Sequence, residues 1–283
     1  MQKRFVYADN AATSPLSKEA FDAMKPWLTE KWGNPSSIYS AARDARKAVE
    51  MARADIADSI GAKPEEIYFT SGGTEADNWA IKSSAKAFGK KGRHLITSAI
   101  EHHAVSSSME SLTSEGFEIT VLPVDKYGMV SPADLEKAIR PDTIFISIML
   151  ANNEIGTIQP IEELAEIAKK HNIPFHTDAV QAVGHIPVNV DELKVDMLSM
   201  SSHKFGGPQG VGALYIRKGV RIPPLMHGGG HERGRRSGTE NVAGVCGMAA
   251  ALKHAVEIMP EANAHLKHIS DRLFDKLLQI PYT

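Results

Sequence analysis

From about residue 60 to 216 the chain alternates short apolar, strand-like runs with helix-like segments, and this alternation restricts the fold more than any other feature. Strands are expected over 67–70, 94–97, 119–122, 143–150, 174–177, 197–199 and 212–216, with helices over 74–88, 105–112 and 161–171 between them. Buried strands separated by helices imply an α/β sandwich with a mostly parallel sheet. In such sheets ligands gather beyond the carboxyl ends of the strands, so the loops that follow strands come first as site candidates. After residue 244 the pattern turns helical to about 278, with a break expected at Pro260, and 279–283 reads as the start of a further element. Neither internal repeats nor low-complexity linkers interrupt it.

The chain's 283 residues, 42% of them hydrophobic, suffice for one large domain and part of a second. A net charge of −2 gives no reason to expect a nucleic-acid or membrane surface. No apolar run approaches the ~18 residues of a membrane span. Residues 1–9 lack a leader-like apolar stretch, so a cytoplasmic setting is the expectation. The single cysteine, Cys246, rules out an internal disulfide framework and a cysteine-cluster zinc site. The histidines show no helical pair backed by carboxylates, so no metal is expected.

Three strand-ending loops carry reactive residue types. Ser71-Gly72-Gly73-Thr74-Glu75 follows the first strand and opens a helix. Glycines there let backbone N–H groups converge on an anion such as a phosphate, although the same run also serves as a plain turn and helix cap. Asp178 ends the 174–177 strand. A buried acid needs a cation or strong donors; a protonated pyridine nitrogen would be one partner, and capping of a following 179–183 helix is the other reading. Lys204 lies just past the 197–199 strand within Ser201-Ser202-His203-Lys204, and a partly desolvated lysine is the usual former of imines. Asp178 and Lys204 are separated by one helix-like and one strand-like segment, which suits two strand ends on the same side of one sheet.

These loops resemble those of the cysteine desulfurases of the nitrogen-fixation and iron–sulfur-cluster type, which are class V aminotransferase-like enzymes dependent on pyridoxal phosphate. The likeness runs from Tyr7-Ala8-Asp9-Asn10-Ala11-Ala12-Thr13 to the end of the chain. It rests on residues 71–78, on Glu101-His102-His103-Ala104-Val105, on Asn152-Asn153-Glu154-Ile155-Gly156, on His176-Thr177-Asp178-Ala179-Val180-Gln181, on residues 201–204 and on the glycine- and arginine-rich stretch 227–239. The resemblance implies a three-layer α/β/α large domain like that of aspartate aminotransferase over 15–257, with 1–14 and 258–283 as part of a small domain. It implies that Lys204 holds the cofactor as a Schiff base and moves the Cα proton. His102 would stack on the ring and act in acid–base steps, Asp178 would pair with the ring nitrogen, and Gln181 would bond the ring hydroxyl. Gly73, Thr74, Ser201 and His203 would hold the phosphate, and Asn153 would lie near the ring and the substrate carboxylate. Thr239 would reach the phosphate of a neighbouring subunit, which makes the expected assembly a homodimer. Arg233, Arg235 and Arg236 read as an anion-binding or dimer-contact loop, or as a solvated one.

The implied reaction turns L-cysteine into L-alanine, the sulfur passing as an enzyme persulfide to an iron–sulfur scaffold or another acceptor protein. Two family features have no counterpart here: the thiol that receives sulfur and a substrate-binding arginine, both expected well beyond Lys204. Cys246 lies in a small-residue apolar segment and reads as structural. The expectation is therefore of a shortened chain that cannot complete sulfur transfer. Near Tyr39 the family's histidine is also missing. A selenocysteine lyase, or another enzyme of the class, and a non-catalytic dimeric scaffold are the rival readings.

Overall fold

A computed structural model of the chain describes residues 5–281. Residues 1–4, where the leader-like stretch was sought, and residues 282 and 283 of the expected terminal element lie outside them. In chain order the elements are α1 (Lys18–Thr29), α2 (Ser40–Ser59), β1 (Ile67–Thr70), α3 (Gly73–Phe88), β2 (His94–Ser98), α4 (His103–Thr113), β3 (Glu118–Leu122), α5 (Pro132–Ala138) and β4 (Thr143–Ser147). There follow α6 (Ile161–Lys170), β5 (Phe175–Asp178), β6 (Met197–Ser201), β7 (Gly212–Ile216), a single turn α7 (His231–Gly234) and the long α8 (Val242–Leu277).

Among the described residues the seven strands form one sheet in the order β1-β7-β6-β5-β4-β2-β3. β3, β2, β4, β5 and β6 run parallel, and β7 lies antiparallel between β6 and β1. β1 therefore points the same way as β6, and the loops after β1, β2, β4, β5 and β6 all emerge on one edge. Both faces are covered, as a largely parallel sheet requires. One apolar layer joins α3 and α4 to the sheet through Trp79, Ile81, Val105 and Met109; the other joins α1, α2, α5, α6 and α8. This is the expected three-layer α/β/α sandwich with a mostly parallel sheet.

Several details depart from the sequence pattern. β4 ends at Ser147, although Ile148 and Leu150 still donate to the His176 and Asp178 carbonyls. No helix forms over 179–183; the chain turns there instead, with the Val180 N–H donating to Asp178 Oδ1 at 2.9 Å. Pro260 does not break α8. A proline removes one i→i−4 bond, and the carbonyl it leaves belongs to Val256, a residue 38% exposed that water can reach. The helix thus runs through position 257 without interruption. By length and composition α8 is also apolar enough to cross a membrane, contrary to expectation. Half of its most apolar 18 residues are packed inside the protein, as in a core helix, and α8 lies on α1 and α2.

Candidate active site

Gly73, after β1, and Gly212, which opens β7, are dictated by close packing. A Cβ on Gly73 would stand 2.6 Å from Val180 Cγ2, and one on Gly212 would stand 2.7 Å from Gly72 Cα. The start of α3 is thereby pressed against the ends of β6 and β7, its free N–H groups opening toward a cavity of about 510 Å³. Nine of the ten site residues expected from the sequence line this cavity: Gly73, Thr74, His102, Asn153, Asp178, Gln181, Ser201, His203 and Lys204. Thr239 does not. It borders a separate recess of about 200 Å³ beside Ser71, Glu232 and Arg236.

Each side chain is held by its own element. Lys204 ends the short turn Ser202–Lys204 that follows β6, and its ammonium donates to the Ala11 and Ala12 carbonyls at 2.5 and 3.1 Å. Burial lowers its pKa, against the pull of Asp178 and Asp9. Gln181 Nε2 donates to the same Ala11 carbonyl at 3.0 Å, and His203 Nδ1 lies 3.0 Å from Thr13 Oγ1. The segment 9–14 thus forms one wall of the cavity. His102 caps α4 by accepting the Ala104 N–H on Nδ1, so the proton of a neutral ring sits on Nε2. Asn153 is presented by a turn in which Asn152 accepts the N–H groups of Glu154 and Ile155 and donates to the Ile100 carbonyl.

The electrostatics centre on buried acids. Asp178, 4% exposed, has its pKa raised by burial, partly offset by the Val180 N–H and by His102 and Lys204. Glu101 accepts from Ser98 Oγ and the Met149 N–H, yet burial pushes it up to about 8. Asp77 lines the cavity too, and its pKa is raised well above the carboxylate range by burial and by neighbouring Asp178. The sequence gives Asp77, Glu101 and His176 no role, although all three fall within the motifs. Asp77 follows Thr74 by three residues on one helix face, and His176 precedes Asp178 by two on one strand face. Those spacings were the available signal.

The site fits pyridoxal phosphate. It combines an N–H-rich cup at a helix start that a Cβ would close, a buried carboxyl with one oxygen left for a ring nitrogen, and a partly desolvated lysine between them. Cys246 takes no part. It lies half-buried on α8, and burial pushes its thiol up to about 11.

Residues 6–283 match the family described as Aminotransferase class-V, whose members work with pyridoxal phosphate. The chain belongs to that family. Within it the kinship is to the cysteine desulfurases: the chain is 58% identical over 282 residues to cysteine desulfurase IscS of Methanosarcina thermophila, covering all of this chain and 70% of the relative. A solved NifS-like protein superposes with a TM-score of 0.96 at 46% identity, covering 98% of this chain and 76% of the other. SspA, solved in complex with cysteine, gives a TM-score of 0.86 at 44% identity over 88% of this chain and 73% of its own.

Proposed function

We propose that this chain forms the cofactor-binding core of a cysteine desulfurase acting on L-cysteine, with alanine and transferable sulfur as products. The observation that carries this reading is the convergence of nine motif residues on one cavity with the Lys204 amine inside it. The bound cysteine of the SspA complex supports the choice of substrate. When bound, pyridoxal phosphate supplies an electron sink for charge developing at the substrate Cα. Lys204 would hold the aldehyde and, once displaced by the substrate amine, move the Cα proton. Burial lowers its pKa from the ordinary amine value, which eases that proton transfer. The N-terminal turn of α3 with Thr74, Ser201 and His203 would bind the phosphate, and Asp178 would face the ring nitrogen. Gln181 would bond the ring hydroxyl, His102 would wall the ring and serve in proton transfer, and Asn153 would orient the substrate. Cys246 does not fit as the thiolate that receives sulfur: it lies half-buried on α8, is not among the residues lining the cavity, and has its thiol pushed up to about 11 by burial.

The same proposal includes a homodimer in which Thr239 reaches the neighbouring site, an iron–sulfur scaffold or other sulfur acceptor as partner, and a cytoplasmic setting. Adding pyridoxal phosphate to the protein should produce a visible absorbance that Lys204→Ala abolishes while circular dichroism stays unchanged. The loaded protein should sediment at twice the chain mass. A K204A spectrum identical to wild type would overturn the assignment of Lys204, and a monomeric mass would overturn the dimer.

A further inference from the structure

Asp77 is an acid on the cavity wall that the reaction outlined above does not use, in a place that leaves it no partner of opposite charge. It is 1% exposed on α3, one turn after Thr74. Its Oδ1 has no hydrogen-bond partner among the described residues and lies 3.7 Å from His176 Nε2. The Ser199 hydroxyl on β6 bears on Asp77 too, acting against the effect of burial. His176 on β5 is no counter-cation: it is fully buried, and its two ring nitrogens pair with Ser147 Oγ at 2.8 Å and Ser199 Oγ at 2.9 Å. The other titratable groups on this cavity are Asp178 at the end of β5, Asp9, Glu154, His102, His203 and Lys204, and Glu101 in the turn after β2 acts on Asp77 from beside it. Asp77 and Asp178 are thus two buried carboxyl groups on one cavity, with Glu101 close by. Like charges at such sites cannot all be ionised together, and Asp178 is the acid nearest a cation and holding a backbone N–H.

We propose that Asp77 is a positioning residue for the cofactor ring, a buried neutral carboxylic acid that backs Asp178 and leaves it the single anion offered to the ring nitrogen. This rests on the reading that the cavity takes pyridoxal phosphate. The column Ser147–His176–Ser199–Asp77 then fixes the polar environment of Asp178 from behind without adding charge to it, which a second carboxylate would do.

Infrared difference spectra test the charge directly and need no cofactor. Wild type minus D77N at neutral pH should show a carbonyl band of a protonated acid, and E101Q should remove a different one. Loss of carboxylate bands in D77N would overturn the proposal. In the loaded protein, D77N should leave the pH midpoint of the visible absorbance within a few tenths of wild type; a drop of about one unit would mean that an anion had been removed. D77L, which offers neither donor nor acceptor, should weaken pyridoxal-phosphate binding by about tenfold, with D77N recovering most of it. Unchanged binding in D77L would overturn the positioning role. Should D77L fail to fold, the two D77N readouts decide the matter. Failure of wild type to take up pyridoxal phosphate is seen before any variant is made, and it would remove the cofactor reading itself.

Discussion

Glu101 takes both of its hydrogen bonds on Oε1, from Ser98 and Met149, while Oε2 is buried without a partner among the described residues. In the unfolded chain it ionises near 4.5; in the folded protein it keeps its proton up to about 8. Between those values the native state binds the extra proton, so stability falls as pH rises across the window. Glu101→Gln should flatten that fall and raise the melting temperature of the cofactor-free protein most at the alkaline end. Thermal unfolding of both proteins at pH 5, 6.5 and 8 checks this, and parallel curves would contradict it. Most of the site was legible residue by residue, because Lys204, Asp178 and Gly73 each announce themselves in a strand-ending loop. Asp77, Glu101 and His176 were not. Each is unremarkable within its own segment, and each gains meaning only when the sheet brings residues about 25 to 100 positions apart into one pocket.

At the level of elements, the stretch 226–240 is tied down by two ion pairs rather than by regular structure. Arg53 on α2 meets Glu232 at 2.8 Å, their side chains 3% and 2% exposed, and Glu232 also accepts the Phe69 N–H of β1. Arg236 pairs with both oxygens of Glu75 on α3. Glu232 and Arg233 take left-handed backbone angles, a conformation that L-residues hold only when their surroundings enforce it. Removing one partner of a buried pair leaves the other charge stranded, so Arg53→Met should cost about 3–5 kcal/mol. The double variant R53M/E232L should cost less than R53M alone. Urea unfolding measures both, and a double variant weaker than the single would refute the argument. α1 and α2 were missed in the sequence because they precede the strand–helix alternation that begins near residue 60, although α2 buries a regular stripe of Ala42, Ala45, Val49, Ala52, Ile56 and Ala57. α8 was read correctly as helical but wrongly as broken, since Pro260 loses only one bond, on a face that water can supply.

For the molecule as a whole, the mostly parallel sheet followed from the alternation of segments, and the edge that carries the site followed from the sheet. The strand order did not. Nothing local in residues 212–216 says that this last strand inserts antiparallel between the first and the sixth. Pairing partners are a property of the closed sheet.

The place of β7 has a consequence for how the protein comes into being. β1 pairs with β7 and with no other strand among the described residues, so the first strand made waits for the last before it joins the sheet. The glycine-rich turn after β1 and the lysine after β6 are therefore strangers until residue 216 has been added. Contacts this distant in sequence form late. The cofactor site is then the closing event of folding, and uptake of pyridoxal phosphate reports a finished sheet. In refolding experiments the visible absorbance should lag behind recovery of helical circular dichroism; cofactor capture that kept pace with the first helices would show that the turn takes shape before its strand is paired.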